Sequence, residues 1–298
     1  MGELMKHIFI VNPVAGKGKG MKYIEKVRPL LDEKLDYIIV ETKGKGHATE
    51  LASLYAAREE CIIYAVGGDG TINEVMNGIV GTSSKLAIVP TGSGNDFIRG
   101  IYPKYKIERL LEGLIKGKAS YVDIGRINEK YFLNVASVGL DAEIAKNVVY
   151  FKKLKFIGGS LAYLFSIAKT LLGYKCNLIK IKLDGEEIWA DKSLLLAIAN
   201  GKYYGGGIPI APSAKVDDGQ LNICLVKELG IFHILPIIPK LFLAKHEEDK
   251  DVQVFKATSI EVEGDKALNI NIDGEIVKER NINIEIIPRG IEIIIPQI

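Results

Sequence analysis

The stretch Cys61-Ile62-Ile63-Tyr64-Ala65-Val66-Gly67-Gly68-Asp69-Gly70-Thr71-Ile72-Asn73-Glu74-Val75 reads as an apolar strand, a glycine-rich turn and the opening of a helix. The same grammar recurs at His7–Val11, Tyr37–Glu41 and Leu86–Pro90, each run closing on a glycine-containing turn before a helix-length segment. Strands alternating with helical stretches are the pattern of parallel βαβ units. Turns at the C-terminal ends of parallel strands are where open α/β sheets bind their ligands. Residues 1–123 are therefore expected to form an α/β domain around an open parallel sheet.

Beyond Asp123 the texture changes to short Ile-, Val- and Leu-rich segments broken by Gly, Asn and Asp, which predicts a mainly antiparallel β-sandwich over 124–288. The tail, about 289–298, is expected to pack back on the first domain. Ala267–Ile272 and Glu275–Val277 flank Asp273-Gly274, a strong hairpin signal. One helix is expected inside this region, where Leu161, Leu164, Phe165, Ala168 and Leu172 recur at helical spacing after Lys152, Lys153 and Lys155. That cluster either docks on an anionic membrane or is a solvated charge run beside a core-facing helix, and the second reading is preferred.

A chain of 298 residues is long for one core, and two domains leave a cleft between them. The 39 basic and 37 acidic residues nearly cancel, so no long-range field argues for nucleic acid. Cys61, Cys176 and Cys224 are odd in number and lack CxxC spacing, against a disulfide framework or a zinc site and in favour of the reducing cytoplasm. The four histidines share no ligand spacing, and no signal peptide is read at the start. No run reaches the roughly 18–20 apolar residues of a membrane span, since Ile231–Ala244 contains His233, Pro236, Pro239 and Lys240. Any encounter with a membrane is expected at its surface, and a homodimer is left open.

Two further glycine loops follow strands: Asn12-Pro13-Val14-Ala15-Gly16-Lys17-Gly18 and Pro90-Thr91-Gly92-Ser93-Gly94-Asn95-Asp96. Glycines there let backbone N–H groups approach phosphate oxygens, and three such loops on one sheet edge predict one polyphosphate site. Each alone is equally well read as a turn that needs glycine. No Gly-Lys pair is followed by Ser or Thr, Gly16 to Gly20 lacks GxGxxG spacing, and no His-Arg-Asp occurs. P-loop, Rossmann and protein-kinase fingerprints are thereby excluded.

Gly67 to Val75 resembles the GGDGTxNEV signature of the diacylglycerol, sphingosine and ceramide kinases. Asn12-Pro13 with Gly16 is similar to that family's opening loop, and Pro90-x-Gly92-Ser93-x-Asn95-Asp96-Phe97-x-Arg99 to its next segment. Asn200-Gly201-x-Tyr203-Tyr204-Gly205-Gly206-Gly207, Ala211-Pro212-x-Ala214, Asp217-Asp218-Gly219 and Asp273-Gly274-Glu275 continue the likeness in order. Ser93 and Ile98 depart from it, standing where the family has Thr and Ala.

The resemblance implies a NAD kinase-like nucleotide domain with a β-sandwich, and an ATP- and Mg²⁺-dependent kinase acting on a lipid hydroxyl. It implies that Asn12, Thr42, Gly67, Gly68, Asp69, Gly70, Thr71 and Ser93 hold ATP. Asp69, Asp96 and Asp123 would arrange Mg²⁺ and its waters, a role suited to an ion that keeps most of its hydration. Asp96 is also readable as the N-cap of the next helix. The resemblance makes Glu275 the general base, with Asp273 a weaker alternative. Leu183-Asp184-Gly185-Glu186 repeats the local pattern, and spacing alone does not choose between Glu186 and Glu275. A structural Mg²⁺ is implied at the Asp218 carboxylate with the carbonyls of Lys215 and Gln220, against the alternative of a tight Asp-Gly turn. NAD kinase, which shares the GGDGT loop, and a catalytically silent nucleotide-binding protein are the competing readings.

Overall fold

The structure is a computed structural model describing residues 5–102, 104–144, 170 and 173–297. β1 (Lys6–Val11), β2 (Tyr37–Glu41), β3 (Cys61–Gly67) and β4 (Lys85–Pro90) form a parallel sheet in the order β4-β3-β1-β2. Central strands of such a sheet are covered on both faces and tolerate no polar alternation, which is why all of β3 except Ile62 is buried. The helices are α1 (Lys19–Lys34), α2 (His47–Ala56), α3 (Asp69–Ile79), α4 (Asp96–Ile101) and α5 (Ile107–Ile115). In α3, Ile72, Val75, Met76 and Ile79 follow helical spacing and are all buried in the first core.

The second half contains β5 (Lys118–Ile127), β6 (Lys130–Phe132), β7 (Val135–Gly139), β8 (Asn177–Leu183), β9 (Glu186–Ala199) and β10 (Leu221–Lys227). The helix α6 (Ile231–Phe242) precedes β11 (Val252–Ala257), β12 (Ser259–Ile272) and β13 (Glu275–Ile295). Pairing among β7 to β12 is antiparallel. The period of two is visible in β9: Leu196 and Ile198 enter one core, while Ala197 and Ala199 enter another that α6 covers with Ile234.

β13 joins the halves. Its first part pairs with β12, and Ile291 to Ile295 pair antiparallel with Val122 to Lys118. Ile293 also pairs in parallel with Leu86 of β4, extending the first sheet. Arg289, at φ 53°, lies in the bulge between these two stretches.

Both Asp-Gly pairs form two-residue hairpin turns with positive φ at each residue: Asp184 (48°) with Gly185 (89°), and Asp273 (46°) with Gly274 (94°). They sit at opposite ends of β12. Asp184 accepts the Ser259 N–H at 2.9 Å at its start, and Asp273 follows its last residue. Ser259 and Ile272 pair with Glu285 and Glu275 of β13, so at about 3.3 Å per residue the two turns lie on the order of 30 Å apart. Lys152, Lys153, Lys155 and the helix expected around Leu161 to Leu172 lie outside the described residues.

Candidate active site

The three glycine loops meet at the C-terminal edge of the parallel sheet by touching one another. A side chain on Gly16 (φ 56°) would stand 1.9 Å from the Thr91 carbonyl oxygen, and one on Gly92 would stand 2.4 Å from the Gly68 Cα. Glycine is required at these positions by loop-on-loop packing, before any phosphate is considered. Polar ties lock the cluster. Asn12 Nδ2 donates to Thr71 Oγ1 at 3.0 Å, and the N–H groups of Thr91 and Gly92 donate to the Gly67 carbonyl at 2.9 and 3.1 Å. Thr42, buried at the end of β2, donates its N–H to the Val11 carbonyl. Ser93 is exposed on the same edge, and a side chain at Gly70 would meet open space.

The carboxylate of Asp69 accepts the N–H groups of Asn95 and Asp96, both at 2.7 Å, and so ties the β3 loop to the β4 loop. The N-cap of α4 is Asn95, at φ 51°. Asp96 is the first helical residue, and its Oδ2 accepts the Gly206 N–H at 2.8 Å from the second domain. Its Oδ1 is buried without a hydrogen-bond partner. Burial raises the Asp96 carboxyl above the ordinary range, opposed by the Gly206 N–H and reinforced by the charge of Asp69.

Asp123 is buried, 2% exposed. Its oxygens accept the Gly219 and Arg289 N–H groups, each at 2.7 Å, pinning the 215–220 loop to the β13 bulge. Asp218 in that loop accepts its own turn through the Gln220 N–H at 3.3 Å and an ammonium from Lys256 at 3.0 Å.

The remaining groups come from the β12–β13 turn. Asp273 accepts N–H groups from Leu133 (2.8 Å), Asn134 (3.1 Å) and Val135 (2.9 Å), and Nδ2 of Asn73 at 2.9 Å. Desolvation pushes its carboxyl up to about 6 against the pull of these donors. Glu275, two residues on, projects between Lys45 of the β2–α2 loop (3.0 Å) and Lys130 of β6 (3.8 Å). Glu186 begins β9, at the far end of β12 from this cluster.

Next to the turn lies a cavity of about 170 Å³, walled by Leu140, Leu194, Ile208, Val226 and the α6 residues Ile234, Ile237, Ile238, Leu241 and Phe242. Asn271 also lines it, and Asn271 Oδ1 accepts the Gly274 N–H at 2.9 Å, so cavity and turn share a wall. Among the described residues Asp141 is its one carboxylate. Burial pushes that carboxyl up to about 6 even though Ser137 Oγ donates to Oδ2. Among the described residues no helix is long and apolar enough to cross a membrane.

Residues 6–127 match the family described as the diacylglycerol kinase catalytic domain, and residues 134–295 match the YegS C-terminal NAD kinase beta sandwich-like domain. The chain belongs to the diacylglycerol kinase and YegS family of lipid kinases. It is 30% identical to a "Probable lipid kinase YegS-like" from Yersinia enterocolitica over 98% of both chains. It is 29% identical to "Diacylglycerol kinase" of Bacillus subtilis over 85% of this chain and 84% of that one. A crystal structure of a diacylglycerol kinase from Bacillus anthracis str. Sterne superposes with a TM-score of 0.73 at 29% identity, over 99% of this chain and 98% of that one. An NAD kinase from Archaeoglobus fulgidus in complex with ATP, 12% identical over 98% of this chain and 94% of that one, has a TM-score of 0.54 and shares the fold.

In this lipid kinase the signature does more than pack glycine loops together. Asn73 reaches Asp273, and Glu74 Oε2 accepts the Ala48 N–H at 3.2 Å, holding the start of α2. Neither role is readable from glycine spacing, since each partner is remote in sequence. Lys45 and Lys130 were also not singled out, because exposed lysines are ordinary surface residues until Glu275 is placed between them. The Mg²⁺ that the family implies fits the Asp69 and Asp96 pair. Two carboxylates of like charge stand together there, and one buried oxygen lacks a partner. At Asp218 a dication would have to displace or share the carboxylate with Lys256.

Proposed function

We propose that this lipid kinase transfers the γ-phosphoryl group of ATP to the hydroxyl of diacylglycerol or a related membrane lipid, with Glu275 as general base. The observation that carries this reading is the setting of the β12–β13 turn. Through Asp273 it is bonded to α3, which opens on the glycine loops, and through Gly274 to the wall of an apolar cavity. A carboxylate between a phosphate cradle and an apolar pocket is what a kinase acting on a hydrophobic alcohol requires.

Asn12, Thr42, the Gly67 to Thr71 turn and Ser93 hold the nucleotide. The lipid O–H gives its proton to Glu275 as its oxygen bonds to the γ-phosphorus, the bond from that phosphorus to the bridging oxygen breaks, and ADP leaves with the electron pair. Asp69 and Asp96 would hold Mg²⁺, which would supply neutralisation of charge on the phosphates, and Asp123 staples the 215–220 loop. Asp218 with the Lys215 and Gln220 carbonyls is the proposed second, structural metal site, in competition with Lys256. The lipid tail enters the cavity from the membrane surface. Phe232 (82% exposed), Leu235 (50%) and Leu243 (68%) form an outward apolar face at α6, whose inner face walls the cavity.

The test incubates the protein with labelled ATP, Mg²⁺ and a lipid extract and follows label into the organic phase. Wild type labels a lipid, and Glu275→Gln lowers the rate by about 10²- to 10⁴-fold. Label transferred to added NAD instead would move the reading to an NAD kinase. ATP binding with no transfer to any hydroxylated lipid would leave a silent nucleotide-binding protein.

A further inference from the structure

Lys45 lies in Thr42-Lys43-Gly44-Lys45-Gly46-His47, a loop that carries Thr42 at one end and opens α2 at the other. The loop is fixed to the nucleotide-site helix. Glu74 of α3 accepts the Ala48 N–H through Oε2 and the Thr49 hydroxyl through its carbonyl at 2.9 Å, and His47 Nδ1 accepts the Lys43 N–H at 3.0 Å. From this fixed base Lys45 extends its ammonium to 3.0 Å from Glu275 Oε1, while its side chain remains 77% exposed. Lys130 approaches the other carboxylate oxygen from the second domain.

We propose that Lys45 is a further catalytic residue, whose ammonium passes from Glu275 to the transferring phosphoryl group when ATP and the acceptor are bound. The proposal rests on Glu275 being the base. A base must stand about 2.6–3.2 Å from the acceptor oxygen, which itself approaches phosphorus to about 3–3.5 Å. An ammonium on that carboxylate therefore lies within a few ångströms of the phosphoryl oxygens, a distance a four-carbon stem spans by rotation. Exposed ion pairs are weak and exchange readily, so the contact with Glu275 does not trap Lys45. The charge it meets is also greater, because the phosphoryl group carries its charge over three oxygens in the transition state. No proton leaves Lys45. Its contribution is neutralisation at the acceptor end of the site, where the described carboxylates Asp69 and Asp96 offer none. Lys130 keeps Glu275 in place when Lys45 departs, as a positioning residue.

The test compares Lys45→Met, Lys45→Arg and Lys130→Met with a control, Lys182→Met, whose lysine pairs with Glu261 on the sandwich. Lys45→Met is expected to lower kcat about 10²-fold, the loss typical of one donor to a developing oxyanion. ADP affinity, measured by calorimetry, and the melting temperature should stay at wild type, because ADP has no γ-phosphate. Lys45→Arg should recover most of kcat, and Lys130→Met should lose less than Lys45→Met. Wild-type kcat in Lys45→Met, or an ADP affinity that falls as far as kcat, would overturn the proposal. Full activity in Glu275→Gln would instead remove the base reading itself, and this inference with it. An inactive Glu275→Gln beside a fully active Lys45→Met removes the inference alone.

Discussion

Asn73, in the second turn of α3, donates through Nδ2 to Asp273 at the tip of the β12–β13 hairpin, a 2.9 Å contact across 200 residues of sequence. The same side chain lies 3.3 Å from the Tyr131 carbonyl, and Asn77 one turn later accepts the Tyr131 N–H at 3.1 Å. The helix that begins at the Gly67–Gly68 turn is thereby bolted to the strand that carries Glu275. Asn73→Ala leaves an enclosed carboxylate one donor short, with an expected loss of about 1–3 kcal/mol in denaturant unfolding. Because Glu275 then drifts relative to the glycine loops, kcat should fall by more than the affinity for ATP. Equal activity in wild type and variant would separate the bolt from catalysis.

Gly92 and Gly68 approach so closely that a methyl group on Gly92 would stand 2.4 Å from the Gly68 Cα. Gly92→Ala must spread the β3 and β4 loops, and a displacement on the order of 1 Å at a reacting site costs about 10²-fold in rate. Kinetics with ATP as the varied substrate should show this loss in kcat/KM, with far-UV circular dichroism unchanged because Gly68 and Gly92 both lie outside the regular elements.

Asp141 supplies a pH signature. Its carboxyl is pushed up to about 6 by burial, above its unfolded value near 3.8, so the folded state binds the extra proton between those values. Its contribution favours folding below about pH 4 and declines as pH rises through 6. Asp141→Asn removes that decline, and thermal unfolding should show the variant gaining on wild type from pH 4.5 to pH 8. The gain should reach on the order of 2–3 kcal/mol.

At α6 the prediction concerns physical state of the substrate. The double variant Phe232→Ser, Leu235→Ser removes two large side chains of the outward face. Phosphorylation of long-chain diacylglycerol in vesicles should fall about tenfold or more, the equivalent of ~1.4 kcal/mol of lost surface affinity. Activity on a short-chain, water-dispersed analogue should change much less. Equal losses on both substrates would place the defect in the cavity and not at the surface.

The fold was legible because its cues are local. Parallel strands announce themselves by apolar runs closing on glycine, and β1 to β4 lie where those runs end. Both Asp-Gly turns were likewise readable. What local pattern could not supply is which turn faces the glycine-loop edge, because Asp184-Gly185-Glu186 and Asp273-Gly274-Glu275 are chemically alike. That difference is created by β12, whose length carries the two turns apart. Nor could spacing show that Asp123 staples a loop while Asp69 and Asp96 stand together, since the groups that bind these carboxylates are remote in sequence. Asn73, Glu74 and Lys45 acquire meaning only from partners brought in by tertiary packing.

The shared strand β13 also dictates an order of events during synthesis. Leu86 of β4 is made early, yet its neighbour Ile293 follows every other described strand. Domains ordinarily fold as units, N-terminal first, as the chain emerges from the ribosome. Here the N-terminal half leaves the ribosome with one edge of β4 unpaired and its backbone N–H and C=O groups open, a templating hazard for another growing chain. The protein resolves that exposure by using a single late strand to close the first sheet and complete the second. Growing chains that stall before β13 are accordingly the species most in need of chaperone protection.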